Sequence, residues 1–455
     1  MAVWSSVQIS DLSEDFRLDA EYYQPEYLEQ ERAMARLRTK ALATVANISD
    51  GNHLSIAEEF ADEGVRYLRG QDLADFFISD ADPVYIPERT YQSLARSHML
   101  PGDVLVGIVG TIGSIGFVTS RHGKLTGNCK LAIVRPHSLP NEYIAAYLAS
   151  HVGSNEIQRR IRGAVQMGLI LPDLKRLPIV LPSDKECEAV VADVKTAKRM
   201  REQSRALVHD AEQLLTEALG LSHLDLSESL CYEQDISDLH TASRFGAEYF
   251  MPCKGRVLSA LRSQEGYPLS FYYNSIRDVF VPENARRGEI VRNFDLGDAL
   301  DPVLDDRREP VLASDVGSIK KKFNAGDLVI SRLRSYLQQI ALIRTSSEVP
   351  CVGSSEFIVL RPKDGFKSRL SPQTLLVFLR SLPVQTILRW SQDGSQHPRF
   401  DEKDLLAIPI PISVEKISAR VEAFVNDALD ARSKSILALE SAKHRIERLV
   451  TQQMS

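Results

Sequence analysis

One short pattern occurs twice in this chain. Arg17-Leu-Asp-Ala-Glu21-Tyr22-Tyr23-Gln-Pro25 returns, at an offset of 227, as Arg244-Phe-Gly-Ala-Glu248-Tyr249-Phe250-Met-Pro252, agreeing at six of nine positions when the aromatic pair counts as agreement. Three further pairs follow in the same order. Pro101-Gly-Asp103-Val-Leu-Val matches Ala325-Gly-Asp327-Leu-Val-Ile at an offset of 224. Gly127-Asn-Cys-Lys-Leu-Ala-Ile-Val-Arg135-Pro136 matches Gly353-Ser-Ser-Glu-Phe-Ile-Val-Leu-Arg361-Pro362 at 226, and Leu177-Pro-Ile-Val-Leu-Pro182 matches Leu406-Ala-Ile-Pro-Ile-Pro411 at 229. A nearly constant offset in a preserved order marks an internal duplication. The chain must fold into two similar units.

Each copy contains short β-branched runs punctuated by Gly, Pro, Asn and Asp, over 43–136 and 268–362, which predict a strand-rich body. Helices are expected over 25–42, 142–163 and 372–390. The repeated Gly-Asp places a tight turn before a buried strand, and the repeated Arg-Pro closes another, because Pro cannot continue a ladder.

After each body comes a long helical pattern. Val190, Val194, Ala197, Val208, Ala211, Leu215 and Ala218 form a heptad seam, interrupted at Arg201 and Ser204. Ser183-x-x-Glu186 reads as a capping box and Gly220 as the residue that ends the helix. A second seam runs through Ile417, Val421, Phe424, Ala428, Ala431, Ser435, Ala438, Ala442 and Leu449. The fold class is therefore α+β, with two tandem similar domains that each lead into a long helix. The expected boundaries are 1–183, helix 184–221, connection 222–243, second domain 244–412 and helix 413–455.

With 455 residues, 44% of them hydrophobic and 25% charged, the chain has the composition of a globular protein of several units. The start Met1-Ala-Val-Trp-Ser-Ser lacks a basic stretch before an apolar core, so no signal peptide is expected and a cytoplasmic location is. Five scattered cysteines form no Cys-x-x-Cys pair. The ten histidines place no His-x-x-x-His on a helical face, so neither a zinc site nor another metal site is expected.

Catalytic motifs are absent. Asp82-Pro-Val-Tyr85 lacks the second proline of the adenine-methyltransferase signature, and a turn beside a strand explains it. Gly110-Thr-Ile-Gly113-Ser-Ile-Gly116 has neither the P-loop lysine nor dinucleotide spacing. Pro172-Asp173-Leu-Lys175 lacks the second element of a nuclease core. No catalytic residue is assigned, which favours a binding protein.

Basic and polar residues stand at equivalent places in the two copies. In the first these are Thr111 and Ser114 after the Gly-Asp strand, with Arg159, Arg160, Arg162 and Gln166 before the closing strand. In the second they are Lys321, Arg332, Arg334 and Ser335, with Gln396, His397 and Arg399. Such side chains bind phosphates and read base edges, so these thirteen are the candidate DNA-binding residues. The bland alternative is a set of solvated loops, and the net charge of −6 leaves room for a scaffold that binds proteins.

In motif order the whole chain resembles the specificity subunits of type I restriction–modification systems. The residues that carry this are the Arg-x-x-Ala-Glu-Tyr-x-x-Pro opening, the Gly-Asp strand, Ser331-Arg332-Leu-Arg334, the Gly353 to Pro362 stretch and the Pro-rich strand before each long helix. The resemblance implies two target-recognition domains and long spacer helices packed as an antiparallel coiled coil. It also implies a non-catalytic role: reading a bipartite double-stranded DNA target and directing DNA adenine methyltransferase subunits to it, with a motor-nuclease subunit as a further partner in phage defence. S-adenosylmethionine would then belong to the methyltransferase, and this chain would hold no cofactor. Leu-Pro182-Ser-Asp-Lys-Glu186 and Ile-Pro411-Ile-Ser-Val-Glu415 depart from the family's Pro-Pro-x-x-Glu-Gln.

Overall fold

The computed structural model describes residues 4–9, 12, 17–73, 76–80, 82–163, 165–242 and 244–453, and the elements below are those of the described residues. It divides into two compact units, Met1–Arg201 with Ser433–Ser455, and Glu202–Arg432.

The first unit begins with a 3-10 turn, Ala20–Tyr23, and α1 (Pro25–Met34). Next, β1 (Thr39–Ala41) pairs antiparallel with β10 (Pro178–Val180). The main sheet has the order β2 (Ala46–Asp50), β9 (Leu131–Pro136), β6 (Val104–Gly107), β7 (Ile115–Phe117) and β4 (Phe76–Phe77), antiparallel except between β7 and β4. A smaller sheet joins β5 (Val84–Ile86), β3 (Val65–Leu68) and β8 (Leu125–Gly127), with β3 and β8 parallel. Its helices are α2 (Glu88–Ser93), α3 (Asn141–Ala149), α4 (His151–Gln158), α5 (Leu171–Lys175) and the start of α6 (Asp184–Leu219).

The second unit repeats this plan. After α7 (Ile236–Ala242) come a 3-10 turn at Ala247–Phe250, α8 (Pro252–Arg262), β11 (Gly266–Pro268) and α9 (Leu269–Tyr272). β11 pairs antiparallel with β24 (Pro409–Pro411). The main sheet runs β12 (Tyr273–Ile276), β21 (Phe357–Pro362), β18 (Leu328–Ser331), β19 (Ile340–Arg344) and β15 (Val303–Asp305), with the one parallel pair again last. The other sheet runs β13 (Val279–Phe280), β17 (Lys320–Phe323), β20 (Cys351–Gly353), β14 (Ile290–Phe294) and β16 (Val311–Leu312); β13 and β17 extend the three-stranded plan. α10 (Pro372–Arg380), α11 (Leu382–Arg389), α12 (Glu402–Leu406) and α13 (Ile412–Thr451) complete the order.

The central strands explain why each body has two cores. Every residue of β6 and β18 is buried, and successive side chains leave a strand on opposite faces. Val104 and Val106 enter a core with α3, α4 and the long helices, while Leu105 enters another with Leu68 and Leu73. Likewise Leu328 and Ile330 face the helical core and Val329 faces Phe294 and Phe323.

The repeated motifs are fastened to one another. Arg135 donates through Nε and Nη2 to the two oxygens of Asp103 at 2.8 and 2.7 Å, and Arg361 to those of Asp327 at 2.7 and 2.8 Å. Each Asp is 1% exposed, and its carboxylate also accepts the backbone N–H three residues earlier, Leu100 or Asn324, at 2.7 Å. The opening motif is equally structural. Arg17 lies 4.6 Å over Tyr22 and donates to the Ile161 carbonyl; Arg244 lies 4.6 Å over Tyr249 and donates to the Ser391 carbonyl.

Three helix expectations are corrected. α1 ends at Met34, because Thr39–Ala41 is drawn into pairing with β10. The single helices expected over 142–163 and 372–390 are each two. Ser150 is extended and its side chain caps α4, while Ser381 is extended and is followed by Pro383, which has no N–H to continue the ladder.

The long helices follow a stricter register than their seams. Val190, Val194, Ala197, Ser204, Ala211, Leu215 and Leu219 are buried on α6, and so, at the equivalent positions of α13, are Val421, Val425, Ala428, Ser435, Ala442, Ile446 and Val450. Val208, a seam residue by spacing, is 38% exposed, and Ser204, a break by composition, is buried. The capping box holds: Ser183 N–H donates to Glu186 at 2.8 Å and Glu186 N–H to Ser183 Oγ at 3.4 Å. Gly220 takes φ +63° at the end.

In the first unit Ser435 Oγ donates to the Ala197 carbonyl at 2.7 Å, while Ser441 and Arg445 both reach Asp193 at 2.7 Å. Partner numbers rise on α13 as they fall on α6, so these two segments run in opposite directions.

Candidate nucleic-acid interface

In each unit the loop after the Gly-Asp strand meets a hairpin that precedes the closing strand. In the first, Leu169 N–H donates to the Ile108 carbonyl at 2.9 Å, Val109 bridges Gly168, and Ile108 N–H donates to the Lys130 carbonyl at 2.8 Å. In the second, Phe400 N–H donates to the Arg332 carbonyl at 3.2 Å, Leu333 bridges Arg399, and Arg332 N–H donates to the Glu356 carbonyl at 3.1 Å. The platform is the same, down to its left-handed residues. Gly110 and Gly113 have φ +80° and +84°, and Arg334 and Gln338 stand in the corresponding places at +50° and +49°. L-residues adopt that region at a cost of about 1 kcal/mol each.

Different side chains crown the two platforms. On the first, Gly163 lets the hairpin turn tightly: a Cβ there would lie 2.4 Å from the Gln166 carbonyl. Gln166 is exposed at the tip between Val165 and Met167, which are 101% and 57% exposed. Thr111 is exposed on the loop, and Ser114 Oγ donates to the Thr111 carbonyl at 2.7 Å. Lys130 projects from the adjoining turn, exposed and with no ion pair among the described residues.

On the second platform Glu356 collects two arginines. Arg332 Nε donates to it at 2.8 Å, and Arg399 donates through Nε at 3.1 Å and Nη2 at 2.7 Å to Oε1. The Arg399 hydrogen bond, opposed by burial and aided by Arg332, holds the Glu356 carboxyl below the ordinary carboxylate range. Arg334 Nη2 lies 3.3 Å from the Gln396 carbonyl and 3.3 Å from His397 Nδ1, and Gln396 and His397 are exposed. Arg332, Arg334, Gln396, His397 and Arg399 therefore form one cluster. Ser335 supports it from below: it is 5% exposed, and its N–H donates to Gln392 at 3.1 Å. Lys321 lies apart, on β17 opposite Gly353.

The first unit's arginines are taken up by the fold. Arg159 is 2% exposed, with its guanidinium 4.3 Å over Tyr22 and 3.1 Å from Glu31. Arg160, just past the end of α4, pairs with Glu156 four residues earlier. Arg162 donates to Asp173 at 3.0 Å, which gives that aspartate a structural use.

Lys130, Glu356, Val165 and Met167 escaped selection by sequence. The first two stand at equivalent places in the aligned Gly127 and Gly353 stretches, so the reversal of charge was visible there. Val165 and Met167 carried no signal, because only the hairpin shows that they face solvent. Among the described residues no group of three or more His, Cys, Asp or Glu is arranged to hold a metal, and no helix is long and apolar enough to cross a membrane.

No protein-family model matches the chain, and no curated protein matches it in sequence. Among solved structures it is similar to the S subunit of a type I restriction–modification system from M. genitalium, at 14% identity and TM-score 0.44, over 90% of this chain and 95% of that one. It is also similar to the HsdS subunit from Thermoanaerobacter tengcongensis, at 15% identity and TM-score 0.29, over 92% and 96% of the two chains. A third similar chain comes from a structure describing complex assembly and conformational transition of the type I R-M system, at 13% identity and TM-score 0.29, over 92% and 97%.

Proposed function

We propose that this chain is a non-catalytic DNA-specificity subunit of a type I restriction–modification system. Each unit reads one half of a bipartite duplex target, and the chain brings adenine methyltransferase subunits to that target; a motor-nuclease subunit joins the same assembly. The observation that carries this reading is the duplicated platform with divergent crowns. Two loops locked to two hairpins by the same backbone hydrogen bonds hold different polar and basic side chains at their rims. Two readers of unlike sequences need such an arrangement, and one enzyme does not.

The long helices act as the ruler. α6 has 36 residues, on the order of 50 Å at 1.5 Å per residue, and pairing with α13 along its length would fix the distance between half-sites. Joining two modest readers raises affinity only when the half-sites lie at that distance. Thr111, Ser114, Gln166 and Lys130 are the contact candidates of the first unit. Lys321, Arg332, Arg334, Gln396, His397 and Arg399 are those of the second.

The net charge of −6 favours one other reading, a scaffold that binds only proteins. Duplex binding by the assembled complex, measured across salt concentrations, separates the two. Phosphate contacts make affinity fall steeply with salt, and that is the expected result. Absence of duplex binding at low salt contradicts the DNA reading.

A further inference from the structure

The second platform holds a guanidinium in a particular posture. Arg332 spends its Nε–H on Glu356 Oε2 at 2.8 Å, while its remaining side-chain N–H groups have no partner among the described residues. The side chain is 47% exposed, and Glu356, at 20%, is fixed in turn by Arg399. The free end of such a fork, Nη1 and Nη2, matches the paired acceptors O6 and N7 of guanine in the major groove. Carboxylate support through Nε orients that end before DNA arrives, which lowers the ordering cost of binding.

The first platform has no equivalent. The places of Arg332, Glu356 and Arg399, matched by the shared backbone hydrogen bonds, are taken there by Ile108, Lys130 and Gly168. Ile108 is buried, and Lys130 offers a point charge in place of a fork.

We infer that Arg332 is a guanine-reading residue and Glu356 its positioning residue, so that a fork contact to guanine belongs to the half-site of the second unit alone. This rests on the DNA-specificity reading above and names the chemistry of one of its two sites.

The test is selection from random duplexes by the full-length chain, purified with the subunits that accompany it from its host, for the wild type, Arg332→Lys and Glu356→Gln. The wild type should enrich a two-part motif containing a guanine. Both variants should lose preference for that guanine by on the order of tenfold to a hundredfold, while the other half of the motif persists. Retention of the other half excludes loss of the fold, and Arg332→Lys keeps both the charge and the Glu356–Arg399 pair. A motif that both variants enrich unchanged overturns the inference and leaves the DNA reading standing. Enrichment of no sequence by the wild type overturns that reading, and the inference with it.

Discussion

At the scale of single residues, the duplication separates side chains that hold the fold from those that vary upon it. Asp103–Arg135 and Asp327–Arg361 share one bidentate geometry, with every contact at 2.7 or 2.8 Å, so these pairs are architecture. Asp327→Ala removes the carboxylate from Arg361 and from the Asn324 N–H, and hydrogen bonds to charged groups contribute about 1.5–3 kcal/mol. Denaturant unfolding of the variant should show a loss of about 2 kcal/mol, with Asp103→Ala behaving alike in the first unit. Arg334 is the opposite case. Glycine fills its place in the first unit, and its own φ of +50° is unfavourable. Arg334→Gly should leave thermal stability unchanged or raise it by up to about 1 kcal/mol, while duplex affinity falls. A destabilised variant with full affinity would show that the guanidinium serves the fold.

Among the elements, the long helices teach the most about what sequence discloses. Their existence, cap and C-terminal glycine were legible, because periodicity and capping are local properties. The packing register was not. Ser204 reads as a polar break, yet it is buried like Ser435, its counterpart in the second seam, which satisfies its hydroxyl on the Ala197 carbonyl. Val208 reads as core and is exposed, although Leu439, its counterpart on α13, is 9% exposed. Only the partner's shape decides such cases. The split of the expected helices at Ser150 and Ser381 was hidden for a related reason: extended backbone at one residue leaves apolar periodicity almost unchanged. Inserting four residues into α6 rotates everything beyond the insertion relative to the seam. The insertion variant should recognise a different half-site spacing or none, as read by selection from duplexes with variable gaps. The original spacing at wild-type affinity would remove the helices from the role of ruler.

For the whole molecule, the nearly constant offset between equivalent positions was the most informative property of the sequence. It disclosed the number of units and their strand-rich character, and the two main sheets share one strand order. The candidate site was half legible. Five of the second unit's residues meet in one cluster, whereas Arg159, Arg160 and Arg162 pair with acids of their own unit. The i,i+4 spacing of Glu156 and Arg160 was readable, but no local spacing places Glu31 beside Arg159 or Asp173 beside Arg162. The compact units also cut both long helices, at Arg201 and Arg432, a division that linear reading of domain followed by helix does not anticipate. A molecule built this way should impose a two-part pattern on the genome it serves. The most direct measurement is adenine-methylation sequencing of host DNA with and without the gene. The account predicts loss of one modified motif made of two short, unlike blocks separated by a fixed number of unspecified base pairs. An unchanged set of modified motifs would contradict it.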